Sequence, residues 1–158
     1  MSKIKAQQCD VFVSAPFGGV GVIIQNDCVV GIDLRCNSPS SHPIYDPLPQ
    51  NVAHQIQQYF LQKNFKLDIP YAALGTSFQK RVWKVISQIP YGHVMTYSEL
   101  AKKVNSGPRA VANACGANPL PLLIPCHRVI AKNGLGGFMQ GVEGGLKIKE
   151  WLLANESK

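Results

Sequence analysis

The chain has 158 residues, 46% of them apolar and 16% charged, with a formal net charge of +7; that length supports one good domain, or two small ones sharing an interface, around a sizeable core. There is no apolar run of membrane-spanning length and no charged segment leading into a hydrophobic export core, so insertion and export are not expected and the expected location is cytoplasmic, or nuclear in a cell with a nucleus. Five cysteines, odd in number and without a CxxC pair, together with His42, His54 and His93 at intervals unlike those of a zinc finger, argue against a disulfide framework and against a metal site.

Residues 10–35 alternate apolar and polar side chains in three short runs, Val11-Phe12-Val13, Val20-Gly21-Val22-Ile23-Ile24 and Cys28-Val29-Val30-Gly31-Ile32. Gly18-Gly19 and Asn26-Asp27 punctuate them, which predicts three antiparallel strands joined by tight turns. Gly18-Gly19-Val20-Gly21 lacks the Lys-Ser/Thr and the helix start of a phosphate loop, so a hairpin is the better reading. The Ser- and Pro-rich stretch 37–49 is a loop. Pro49 then opens a helix whose Val52, Ile56, Tyr59 and Phe60 share a face that would cover the sheet.

An extended piece at 65–70 leads to Leu74-Gly75, where the charge balance changes. Residues 1–74 carry five Lys/Arg against five Asp, whereas residues 75–158 carry eleven Lys/Arg against four Glu. The domain boundary is therefore set there, giving units 1–74 and 75–158. The basic half reads either as the footprint of a polyanion partner or as a face kept positive for solubility.

The second unit reads as helices. Thr76 with Gln79 has capping-box spacing, followed by a stripe of Phe78, Val82, Val85, Ile86 and Ile89, with Lys80, Arg81 and Lys84 pointing elsewhere. Pro90-Tyr91-Gly92 should end this helix. Thr96 with Glu99 repeats the capping spacing before a second stripe, Tyr97, Leu100, Ala101 and Val104. After the turn Asn105-Ser106-Gly107, Pro108 suits the first position of a third helix over 109–117. Two short helices around a tight turn form a helix-turn-helix, a DNA-reading motif that also occurs in plain helical cores. Arg109, Ala112, Asn113 and Gly116 share one face of the third helix, a smooth surface with a single long side chain.

Ile124-Pro125-Cys126-His127-Arg128-Val129-Ile130 holds a cysteine beside a potential base within an apolar run. Pro125 fixes its own φ and pushes Ile124 to an extended conformation, so the thiol stands on stiff backbone. A free thiol near pKa ~8.5 needs a base or cation to become a nucleophile at neutral pH, and His127 and Arg128 are nearest. On these residues alone, a nucleophile with its base and a buried cysteine beside a satisfied histidine at a strand end are equally good readings. Extended backbone would send Cys126 and His127 to opposite sides. Glu156 to Lys158 lie past the last apolar cluster, Trp151-Leu152-Leu153, and read as a solvated tail that buries little surface.

Pro125-Cys126-His127-Arg128-Val129, with Asn118-Pro119 before it and Gly136-Gly137 and Trp151-Leu152-Leu153 after it, resembles the active-site segment of the O6-alkylguanine-DNA alkyltransferases. Phe78-Gln79-Lys80-Arg81-Val82-Trp83, Ile89-Pro90-Tyr91-Gly92, Thr96-Tyr97 and Arg109-Ala110-Val111 extend the match over residues 75–156; the first seventy or so match only in general character. The resemblance implies an α+β chain, with an N-terminal ribonuclease-H-like antiparallel sheet and covering helix and a C-terminal winged-helix-like domain. It implies direct, irreversible transfer of an alkyl group from O6-alkylguanine in double-stranded DNA, with O4-alkylthymine as a related lesion, to Cys126. Each molecule would act once, as a monomer, without cofactor, metal or membrane.

The same resemblance implies residue roles. Cys126 would be the acceptor, His127 the base acting through water, and Glu156 the group holding the imidazole, a relay like a catalytic triad ending in a thiol. Tyr97 would donate toward guanine N3, although it also reads as a core tyrosine. Asn118 would order the loop beneath the cysteine, although it also reads as a helix C-cap. The third helix would enter the minor groove through Arg109, Ala110, Ala112, Asn113 and Gly116, with Tyr97 alongside, and Arg109 would fill the gap left by a flipped nucleotide or contact a phosphate. Backbone around Cys126 and Val129 would read the base edge. Phe138 stands where many members have tyrosine, keeping a stacking face but no hydroxyl, and Met139-Gln140-Gly141-Val142-Glu143 replaces a shorter link. Two rivals remain: a module that binds alkylated bases without removing the group, against which the retained Cys126 speaks, and a Cys-His hydrolase, which lacks an acyl-substrate motif.

Overall fold

Val11 and Val13 turn one way and Phe12 and Ser14 the other, and this alternation makes β1 (Val11–Ala15) the first strand of a meander with β2 (Gly18–Gln25) and β3 (Cys28–Asp33), in the order β1-β2-β3, antiparallel throughout. The computed structural model describes residues 9–37, 46–138 and 144–158. Asn26 and Asp27 both take positive φ, 51° and 62°, as a two-residue turn matched to strand twist demands. The first hairpin differs from expectation. Its turn falls on Pro16-Phe17, while Gly18 and Gly19 pair with Ala15 and Ser14 inside β2. Gly19 serves packing: a Cβ there would stand 2.4 Å from the Phe12 ring.

Helix α1 (Pro47–Leu61) starts directly after Asp46, with Pro47 rather than Pro49 at its first position, where the missing N–H has no intrahelical partner to lose. Its buried residues Val52, Ile56 and Tyr59 face β1. The segment before Tyr71 runs parallel to β3, with Val29 N donating to Pro70 O at 2.9 Å and Ala72 N to Val29 O at 3.0 Å. Much of the loop expected at 37–49, residues 38–45, lies outside the described residues.

The two capping boxes form. Gln79 N donates to Thr76 Oγ1 and Thr76 N to Gln79 Oε1, opening α2 (Ser77–Ile86); Thr96 and Glu99 do the same for α3 (Tyr97–Lys103). Helix α2 stops at Ile86, short of Pro90, because the chain tightens into i→i+3 bonds, Gln88 N to Val85 O and Ile89 N to Ile86 O, both 3.0 Å. Asn105, at φ 56°, turns the chain into α4 (Pro108–Gly116), and Trp83 Nε1 donates to Ala114 O at 2.8 Å, tying α2 to α4. Helix α5 (Gly145–Glu156) closes the chain.

One apolar core runs through both halves, from Val11 and Ile56 to Val82, Leu100 and Leu152. Phe17 and Phe60 make edge contacts with the Trp151 ring at 5.5 and 5.7 Å between centroids, and Ile32 N donates to Pro119 O at 2.9 Å. The architecture is α+β, a three-stranded antiparallel sheet with its helix followed by a helical domain.

Candidate active site

Two very short parallel strands assemble the site. β4 (Met95–Thr96) pairs with β5 (Val129–Ile130) in the register Met95↔Val129, bringing the start of α3, and so Tyr97, beside the Cys126 segment. Residues Cys126–Arg128 form a 3-10 turn rather than the extended backbone expected. Arg128 N donates to Pro125 O at 2.9 Å and Val129 N to Cys126 O, and with three residues per turn the Cys126 and His127 side chains splay by roughly a third of a circle instead of opposing one another. Asn118 braces this segment: Nδ2 donates to Ile124 O at 2.8 Å, Oδ1 accepts from Leu120 N at 2.9 Å, and the side chain works against the rise that burial imposes on the Cys126 thiol. Within the braced loop Leu122 is held at φ 77°, a left-handed conformation unusual for a branched side chain.

His127 and Glu156 are both buried, and His127 Nε2 lies 2.8 Å from Glu156 Oε2. The solvated tail expected at Glu156 is thereby corrected. The carboxylate sits at the end of the buried α5 stripe Ile148, Lys149, Leu152 and Glu156, and takes donors from three directions. Arg128 grips it with Nε to Oε1 at 2.8 Å and Nη2 to Oε2 at 2.9 Å, while its Nη1 donates to Ile89 O. Tyr59 Oη, from α1, donates to Oε2 at 2.5 Å.

Burial alone would raise the Glu156 carboxyl, but the bonds from His127, Arg128 and Tyr59 outweigh it and hold the group well below the usual carboxylate range. Burial pushes His127 down, only partly offset by Glu156, so at neutral pH the imidazole is neutral. It therefore donates from Nε2 to the carboxylate and keeps its lone pair on Nδ1, the atom buried without a hydrogen-bond partner among the described residues.

Lys149 is fully buried, and its ammonium donates to Val129 O at 2.7 Å and Gly137 O at 2.9 Å. Burial lowers it to about 8, against the pull of Cys126 and Cys115. The same cation, with the Asn118 side chain, counters the burial that raises Cys126. Nζ stands 5.8 Å from the Tyr97 ring centre and 6.0 Å from that of Phe138. Tyr97 Oη donates to Gly137 O at 3.3 Å, and its ring rests against Gly136, where φ is 74° and a Cβ would meet Tyr97 Cε2 at 2.6 Å. Phe138 is buried. The neighbouring 139–143 insertion lies outside the described residues.

On α4, Val111, Ala114 and Cys115 face the core, while Arg109 and Asn113 are exposed and Ala110, Ala112 and Gly116 are half-buried. Lys80, Arg81 and Lys84 are exposed on α2. Among the described residues no group of three or more His, Cys, Asp or Glu could hold a metal ion, and no helix is long and apolar enough to cross a membrane.

Sequence reasoning passed over three site residues: Tyr59, Arg128 as the partner of Glu156, and Lys149. Lys149 and Glu156 did carry a signal, being the charged members of a stripe whose 3- and 4-residue spacing otherwise collects Gly145, Ile148 and Leu152. Tyr59 carried none, since its ring fits the apolar face of α1.

Residues 77–158 match the family model for the 6-O-methylguanine DNA methyltransferase DNA binding domain. The methylated-DNA–protein-cysteine methyltransferase of Saccharolobus islandicus is 43% identical over 142 residues, spanning 90% of this chain and 91% of its own. That of Metallosphaera sedula is 36% identical over 137 residues, spanning 86% and 87%. A Mycobacterium tuberculosis OGT solved in complex with DNA superposes with a TM-score of 0.76 at 29% identity, covering 93% of this chain and 91% of that one. A helix-turn-helix followed by a buried Cys-His-Glu set defines a class of DNA-binding protein with a cysteine in its candidate site. With these matches, the chain belongs to the 6-O-methylguanine-DNA methyltransferase family.

Proposed function

We propose that Cys126 is the acceptor in the methylated-DNA–protein-cysteine methyltransferase activity by which this chain, a DNA-binding repair protein, acts. The observation that carries the assignment is the buried neutral His127 with its Nδ1 lone pair free and its Nε2–H committed to Glu156. That arrangement is a base waiting for one proton. Through an intervening water, Nδ1 accepts the Cys126 thiol proton, and the imidazolium so formed is stabilised by the Glu156 carboxylate.

The Cys126 thiolate then attacks the alkyl carbon of an O6-alkylguanine turned out of a duplex. The Sγ–C bond forms as the C–O6 bond breaks, and the electron pair leaves with the guanine. Tyr97 donates toward N3 as charge builds on the leaving base, and Phe138 offers a stacking face without a hydroxyl. The backbone at Cys126 and Val129 reads the base edge. Asn118 keeps the thiol on its braced loop. O4-alkylthymine presents a similar reacting carbon.

Helix α4 approaches the minor groove through Arg109, Ala110, Ala112, Asn113 and Gly116, with Arg109 occupying the space of the flipped nucleotide. A thioether has no easy leaving route, so each molecule acts once, as a monomer and without a cofactor. Residues 1–74 form one unit and 75–158 the DNA-binding and acceptor unit. An odd number of cysteines without a CxxC pair suits a reducing, cytoplasmic setting. The test is Cys126→Ser, which should lose transfer from O6-methylguanine duplex while still binding it; a serine variant that transferred at the wild-type rate would defeat the assignment.

A further inference from the structure

Glu156 Oε2 accepts from His127 Nε2, from Arg128 Nη2 and from the Tyr59 hydroxyl, whereas Oε1 is held by Arg128 Nε and, at 3.5 Å, by Gly92 N. Four of these five donors come from the acceptor unit. The fifth, Tyr59, comes from α1 in the other half, across 97 residues of sequence. Tyr59 is buried, its ring edge-on to Phe60 and Tyr91, and Phe60 in turn packs on Trp151, on the same helix as Glu156. The hydroxyl thus reaches Glu156 from α1, across the interface between the two halves.

From this we infer that Tyr59 is a positioning residue for the transfer reaction: the N-terminal unit completes the active site by fixing the Glu156 carboxylate against His127 through the Tyr59 hydroxyl. The inference rests on the roles given to Cys126 and His127 above. The Arg128 fork holds both oxygens from one long side chain; a third donor on Oε2, from a different helix, fixes that oxygen where His127 Nε2–H is received. With the ring fixed, Nδ1 keeps one direction. The phenol also takes up part of the carboxylate charge, so that Glu156 stabilises the imidazolium less than it would unaided. The other charged or titratable groups facing the pair are Arg128, Tyr91 and Lys149.

The experiment measures alkyl transfer from free O6-benzylguanine against pH in wild type, Tyr59→Phe and Phe60→Leu, with duplex binding and thermal melts alongside. Tyr59→Phe keeps the ring and removes only the hydroxyl. It should slow transfer roughly three- to tenfold at neutral pH and move the acid limb of the profile to higher pH by up to about one unit, with duplex binding unchanged. Phe60→Leu, which loosens the same interface without touching Glu156, should lower the melting temperature and leave the limb in place. A wild-type rate and limb in Tyr59→Phe, or an equal limb shift in Phe60→Leu, would overturn the inference. If wild type itself shows no transfer to Cys126, it is the assignment of the acceptor that fails. A second measurement needs no variant: the Tyr59 hydroxyl proton and the His127 Nε2 proton both point at one oxygen, so wild-type protein should give a nuclear Overhauser contact between them, and well-resolved resonances without that contact would overturn the inference independently.

Discussion

Lys149 Nζ lies 2.7 Å from the Val129 carbonyl oxygen, so the only fully buried lysine among the described residues is bonded to the strand that follows the Cys126 turn. Its second bond, to Gly137 O, ties that strand to the segment carrying Phe138. An ammonium so placed favours the thiolate of Cys126 and costs the fold desolvation energy.

Lys149→Met should therefore slow transfer at neutral pH on the order of tenfold, because the Cys126 thiol loses the cation that favours its ionised form. It should also change the pH dependence of stability. Folding lowers the Lys149 ammonium from 10.5 to about 8, so between these values the unfolded chain binds more protons and wild-type stability rises with pH. The variant should lose that rise. Urea midpoints taken from about pH 7.5 to about pH 10.5 check this, and parallel curves for the two proteins would contradict it.

Glu156→Gln should be costly for both fold and chemistry. It leaves the Arg128 guanidinium without its bidentate partner, and breaking a buried pair from one side costs about 3–5 kcal/mol. Deleting residues 156–158 should do the same, contrary to the solvated tail read from the sequence. The folded-state carboxyl is depressed, so its contribution is present above the unfolded value of ~4.3 and disappears as pH falls through the depressed one. Denaturant melts at neutral and acid pH should show a large deficit in the variant that narrows on acidification; equal stability at neutral pH would contradict the buried network.

The two capping boxes, the three strands and the proline-started α4 were legible because each is a local pattern, in which the residues that decide the structure lie within four positions of one another. Cys126, His127 and Asn118 were legible through resemblance. What stayed hidden was non-local. Tyr59 meets Glu156 across 97 residues, and no pattern in α1 separates a hydroxyl that bonds a carboxylate from an ordinary core tyrosine. The 3-10 turn at Cys126–Arg128 was missed because Pro125 constrains its own φ and its predecessor but not the residues after it.

Arg109 is exposed on the second residue of α4, clear of the core packing made by Val111 and Ala114. Arg109→Ala should leave the reaction with free O6-benzylguanine near the wild-type rate and slow repair of duplex DNA by roughly tenfold or more, because only the duplex needs its base gap filled. Equal losses on both substrates would assign Arg109 a structural role. Replacing Lys80 or Lys84 with alanine should weaken binding to all duplexes alike and reduce the salt slope by ~1 for each phosphate no longer neutralised.

Site-resolved mass spectrometry of the wild-type protein after reaction with excess O6-methylguanine duplex is the most direct measurement. One methyl group per molecule should be found, on Cys126, with guanine restored in the DNA and no further uptake on longer incubation. A methyl group on Cys115, the other buried thiol of this half, or continued turnover beyond one group per molecule, would contradict Cys126 as the single acceptor.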